Sequence, residues 1–166
     1  MRYAPIAARF AAVVVFVLVA AGCRSDGADS SGIKPISVAE EVLPTMMVYK
    51  SPTCGCCSKW VDHLRAAGMD VKTTDSDDMG SIKERFGVPG KLSSCHTAVV
   101  GGYIVEGHVP FEDIQRLLTE RPDAVGLAVP AMPVGSPGME VEGRPADKYN
   151  VLLFDANGNQ RVYASH

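Results

Sequence analysis

Along residues 45–120 the spacing of apolar positions switches between two and three-to-four residues, and each switch marks an element. Thr45 to Lys50 is short, mostly apolar and entered just after Pro44, which predicts a first strand. Ser51-Pro52-Thr53 breaks it. Trp60, Val61, Leu64 and Ala67 then recur at helical spacing, and Gly68 supplies a C-terminal stop. Met69 to Thr73 alternates and reads as a second strand. Asp75 to Asp78 forms an acidic cap region ahead of a short helix over 80–86, stopped at Gly87, with a turn at Val88-Pro89-Gly90. Thr97 to Val100 is a third strand. Gly101-Gly102 turns the chain, and Tyr103 to Val109 returns antiparallel. Pro110 suits the first position of a helix whose apolar face is Phe111, Ile114, Leu117 and Leu118, ending near Arg121-Pro122.

The predicted order is strand–helix–strand–helix–strand–strand–helix, with Cys54-Gly55-Cys56-Cys57 between the first strand and the first helix. A CxxC in that slot is the thioredoxin arrangement. The fold class expected is α/β, a thioredoxin-like mixed sheet flanked by helices. Residues 125–148 are rich in Gly and Pro, too apolar for a linker and too broken for regular structure, and read as an ordered loop laid over the domain. Tyr149 to Phe154, a turn at Asp155-Ala156-Asn157-Gly158, and Gln160 to Ala164 make a C-terminal β-hairpin. Whether that hairpin pairs with the main sheet is left open by the pattern.

The N-terminus belongs to none of this. Arg2 and Arg9 flank the start of an apolar run, Phe10 to Ala21, too short to span a bilayer comfortably. Residues 1–22 read as a secretory signal. The run Leu18-Val19-Ala20-Ala21-Gly22-Cys23 looks like a lipobox, with Ala20 where Leu is usual, so cleavage would leave a lipid-modified Cys23 and a membrane-anchored chain. An ordinary signal peptide and an uncleaved anchor are the alternatives. Residues 23–42, rich in Ser, Gly and Asp, read as a flexible tether, leaving 43–166 as the folded domain. Cleavage removes two arginines and no acid, so the formal charge moves from −3 to −5. No basic stripe exists, which argues against nucleic acid as a partner.

Composition matters chiefly through the five cysteines. With Cys23 assigned to lipid, Cys54, Cys56, Cys57 and Cys95 remain. Two purely structural disulfides fit badly, because three of the four fall within four residues.

Four motifs in order carry a family resemblance. They are Tyr49 to Cys57; Ser94-Cys95-His96-Thr97-Ala98; Glu106-Gly107-His108-Val109-Pro110; and Met132 to Met139. Together they resemble the CopG-type periplasmic copper-resistance proteins, from about Met46 to His166. The resemblance implies a thioredoxin-like domain of the bacterial periplasm that binds copper through clustered cysteines, works in copper handling beside other periplasmic copper proteins, and has a capacity for copper redox chemistry. A lipid anchor is not required by it.

The chemistry of the residues agrees with that implication. Cys54 and Cys57 have the spacing of a dithiol redox pair, and a disulfide oxidoreductase needs only those two. Cys56 is then superfluous, whereas a metal site gives it a purpose, because thiolates can bridge two Cu(I) ions. Soft sulfur ligands select Cu(I); zinc wants its thiolates tetrahedral about one centre, which adjacent Cys56 and Cys57 suit poorly. In thioredoxin-like folds the residue ahead of the strand after the second helix faces the CxxC and is usually a cis-proline. Here Cys95-His96-Thr97 stands there, two potential ligands in place of a blocking ring. His108 is either a ligand or a cap for the next helix. Met132 and Met139 are either thioether ligands or packing. Trp60 reads as core packing or as a shield for the cluster, and His63 and His166 as solvent-facing and free. Two functions stand: a periplasmic copper-binding protein holding Cu(I) on Cys54, Cys56, Cys57, Cys95 and His96, or a thiol–disulfide oxidoreductase using Cys54 and Cys57.

Overall fold

The computed structural model describes residues 43–166. The expected signal, Cys23 and the tether lie outside the described residues. Strands β1 (Met46–Lys50), β2 (Val71–Asp75), β3 (Thr97–Val100), β4 (Tyr103–Glu106), β5 (Gly126–Ala128), β6 (Asn150–Phe154) and β7 (Gln160–Ser165) form one mixed sheet in the order β2-β1-β3-β4-β5-β6-β7. β1 pairs parallel with β2, and β4 parallel with β5; the other neighbours are antiparallel. Helices α1 (Gly55–Ala66), α2 (Met79–Arg85) and α3 (Phe111–Glu120) flank it.

Side chains alternate across the sheet and so feed two cores. Ala98, Val100, Val105, Val151 and Leu153 meet Trp60, Val61 and Leu64 of α1 and Ile114, Leu117 and Leu118 of α3. Their neighbours Val99, Ile104, Leu152 and Phe154 face the other way, onto Phe86, Val88 and Leu92 beyond α2. Burying each large apolar side chain contributes about 1.5–3 kcal/mol, so this layer fixes α1, which carries Cys56 and Cys57, against the sheet.

The α/β architecture and its element order agree with the sequence reading; the differences are local. Residues 125–148 are not wholly a loop. Gly126–Ala128 is a strand, pairing with β4 on one side and β6 on the other, and it joins the terminal hairpin to the main sheet. A side chain at Gly126 would meet the Ile104 carbonyl oxygen at 1.9 Å, so only glycine allows this close approach. Pro110 caps α3 rather than opening it, and Arg121 ends the helix in left-handed geometry. α1 begins at Gly55, five residues before Trp60, so Cys56 and Cys57 sit in its first turn. His166 is not free: its Nε2 lies 2.8 Å from Asp113 Oδ2, its ring stacks on Tyr149, and its backbone pairs with Tyr149. His63 is half-buried, not fully exposed, and its Nε2 is buried without a partner.

Candidate metal centre

β1 delivers the chain to Ser51-Pro52-Thr53, and the turn places Cys54 as the N-cap of α1. Its Sγ accepts from Cys57 N–H at 3.4 Å. No acidic residue sits in the first turn, so no carboxylate competes with the sulfurs for the positive end of the helix dipole. Cys54 and Cys57 are joined in a disulfide, and Cys56 and Cys95 are free thiols. Cys56 Sγ lies 3.5 Å from Cys54 Sγ. Cys57 is buried, while Cys54, Cys56 and Cys95 are half-buried.

Cys95 comes from a different part of the chain, the segment leading into β3. The four sulfurs of Cys54, Cys56, Cys57 and Cys95 all lie within 4.8 Å of one another. The slot expected to face the CxxC does so. No cis peptide bond occurs among the described residues. Burial and the nearby Cys56 push the Cys95 thiol up to about 12, so it is a neutral thiol in this oxidised state.

Cys95 is also the corner of a second group with His96 and His108, whose ligand atoms again lie within 4.8 Å. Cys95 Sγ is 3.2 Å from His96 Nδ1 and 3.0 Å from His108 Nε2. His108 Nδ1 is 2.8 Å from the Pro137 carbonyl, which can only accept, so Nδ1 carries the proton and Nε2 presents its lone pair to Cys95. His96 is fully buried. Its ring lies 4.2 Å from that of Trp60 and 5.0 Å from that of His108, and its Nε2 has no partner. Burial is the main cause holding both imidazoles below the ordinary value; the neighbouring His108 adds to it for His96. Both are therefore neutral near pH 7, the form that binds metals. Trp60, fully buried and donating from Nε1 to Val109 O at 2.9 Å, both packs the core and shields this group.

The Pro/Gly segment lies against the same helix. Gly138, at φ +83, sits so close to α1 that a side chain there would meet Trp60 N at 2.7 Å and Cys56 O at 2.8 Å. Of its two methionines, Met139 is half-buried and Met132 is 48% exposed. Met132 lines a depression with Pro130, Pro133 and Lys148 that includes no cysteine.

The donor set is soft: thiols with neutral, buried imidazoles beside Cys95, which suits Cu(I) or zinc far better than a hard cation. A family model described as a protein of unknown function, DUF411, matches residues 92–139, the span that carries Cys95, His96, His108 and the Pro/Gly segment. Comparison with curated proteins finds no match. Two solved structures, copper resistance protein copG Form 1 and Form 2, are each 46% identical to this chain. Each match covers 75% of this chain and 98% of the other, with TM-scores of 0.70 and 0.71. The chain belongs to the CopG family. The four motifs that carried the resemblance therefore lie on a shared fold, and the CopG match extends well beyond the DUF411 span to include the CxCC helix.

Proposed function

We propose that this chain is a copper-handling protein of the bacterial periplasm, anchored through a lipid on Cys23, that holds Cu(I) on Cys54, Cys56, Cys57 and Cys95, with His96 and His108 beside Cys95. One observation carries the reading: four sulfurs from two distant segments converge within 4.8 Å, one more pair than dithiol exchange requires. Membership of a family whose solved members are named for copper resistance supports the choice of metal. Side-by-side Cys56 and Cys57 favour thiolates shared between ions, that is, a cluster. The Cys54–Cys57 disulfide must be reduced before all four sulfurs can ligate, so copper loading and disulfide formation compete for the same atoms.

Anaerobic Cu(I) titration of the reduced protein tests this. More than one ion per chain is expected, falling in Cys56→Ser; no binding by the reduced protein would overturn the proposal. The disulfide itself favours a second reading, a thiol–disulfide oxidoreductase in which half-buried Cys54 attacks and buried Cys57 resolves. Cys56→Ser separates the two, since dithiol turnover survives it and cluster loading does not.

A further inference from the structure

Beneath the Cys95-His96 segment lies a buried ionic group that neither reading uses. Glu106, the last residue of β4, is fully buried. Its Oε1 accepts from Lys83 Nζ at 2.6 Å and from Ser94 N–H at 2.6 Å. Its Oε2 accepts from Thr97 Oγ1 at 2.7 Å. Lys83, reaching in from α2, also donates to Thr97 Oγ1 at 3.1 Å. Ser94 and Thr97 immediately bracket Cys95-His96, so one carboxylate ties down both ends of the segment. The next residue ties its middle: Gly107 N–H donates to His96 O at 3.1 Å. Gly107 can come this near because it lacks a side chain, which would meet Ser94 Oγ at 2.5 Å.

A buried ion pair is a poor source of net stability, because desolvation offsets most of the attraction, and apolar replacements of similar volume are often neutral or better. Its presence here, aimed at four residues that include two candidate ligands, points to another role. Residues that orient ligands from outside the donor set change metal affinity by about 10–100-fold when removed. We propose that Glu106, held by Lys83, is a positioning residue that fixes Cys95 against the CxCC sulfurs before any metal arrives. The link to copper rests on the proposed function, but the placement of Cys95 does not.

Placement can be read without metal. In the oxidised protein only Cys56 and Cys95 are free thiols among the described residues, and dibromobimane fluoresces once two thiols displace both bromides. The bridged-to-singly-alkylated ratio, read by mass and fluorescence, therefore reports how Cys95 sits, a readout that a purely stabilising role would not move. The pair Lys83→Met with Glu106→Leu removes charge and acceptor together; Lys83→Met with Glu106→Gln removes the charge but keeps an acceptor oxygen. In the folded Leu variant the ratio should fall about tenfold or more, with copper affinity down about 10–100-fold, while the Gln variant keeps most of both. Unchanged bridging in a folded Leu variant, or equal loss in both, overturns the proposal. Lost bridging with unaltered copper affinity leaves the positioning role standing and sinks the assignment of Cys95 as a copper ligand. Should neither double variant fold, Thr97→Val decides: it removes one arm isosterically, so reduced bridging supports the clamp and unchanged bridging overturns it.

Discussion

Gly138→Ala is the sharpest test of how the Pro/Gly segment is seated. Two costs add at this position. Gly138 has φ +83, where an L side chain is strained by roughly 1–2 kcal/mol. The new methyl also lands 2.7 Å from Trp60 N and 2.8 Å from Cys56 O, and 3.2 Å from Lys59 C. All three are backbone atoms of α1, which cannot swing aside as a side-chain tip would. Overpacking of this sort costs about 1–3 kcal/mol. The sum is about 2–5 kcal/mol, reduced to whatever extent the segment lifts away. Lifting it has its own consequence, because Pro137 carries the carbonyl that orients His108 at 2.8 Å. Gly55→Ala is the matched control on the same helix: nothing lies within 4 Å of the added carbon, and alanine is the better helix former, so stability should hold or rise by up to about 1 kcal/mol. Urea unfolding of both variants, oxidised and metal-free, gives the comparison. Gly138→Ala within about 1 kcal/mol of the parent would refute the contact on which this reasoning stands.

Other consequences are independent of it. Burial keeps His96 and His108 neutral in the folded state, while the unfolded chain takes up protons below about pH 6.5. The unfolded state then binds more protons, so stability should fall as pH drops from 7 toward 5, by up to about 1.4 kcal/mol per pH unit for each histidine; flat urea midpoints over that range would contradict their burial. The Cys95 thiol, pushed up to about 12, should react with iodoacetamide at a rate still climbing tenfold per pH unit at pH 10, whereas an ordinary thiol has levelled off. Trp60 is the sole tryptophan, buried, with its ring 4.2 Å from that of His96, so its emission should be blue-shifted and should change when copper is titrated in. His166→Ala removes the bond to buried Asp113 and should cost about 0.5–1.5 kcal/mol in thermal or urea unfolding.

Much of this was legible because the physics is local. Trp60, Val61 and Leu64 announce α1 by spacing alone, and Gly101-Gly102 announces the β3–β4 hairpin. The start of α1 was not, because the cap is a cysteine sulfur rather than the Ser, Thr, Asp or Asn that usually signals one. β5 was hidden for another reason. Three residues, Gly126 to Ala128, buried on both faces, show no alternation, and their pairing depends on β4 and β6 some twenty residues away in either direction. At the site, the clustering of Cys54, Cys56 and Cys57 is written in the sequence, and the facing position of Cys95 follows from element order. The role of Glu106 is not. Within Tyr103 to Val109 it reads as one polar residue of a strand, and its partner Lys83 lies in the short helix predicted over 80–86; only the packing of α2 brings the two together.

The electrostatics of the cysteine group bear on which of its two uses dominates. A dithiol exchange site needs one activated thiolate, and the N-cap position of Cys54 supplies the means. It gains nothing from a third thiol half-buried at 3.5 Å, nor from a fourth whose ionisation is opposed by burial and by that neighbour. Thiols so crowded cannot all ionise while they face only one another. A cation among them reverses the balance, since each deprotonation is then offset by a metal–sulfur bond and the protons are released on loading. Copper affinity of the reduced protein should therefore rise with pH, and Cys95→Ser should lessen that dependence as well as the affinity. The crowding that is a liability for disulfide exchange is what a thiolate-bridged metal site requires.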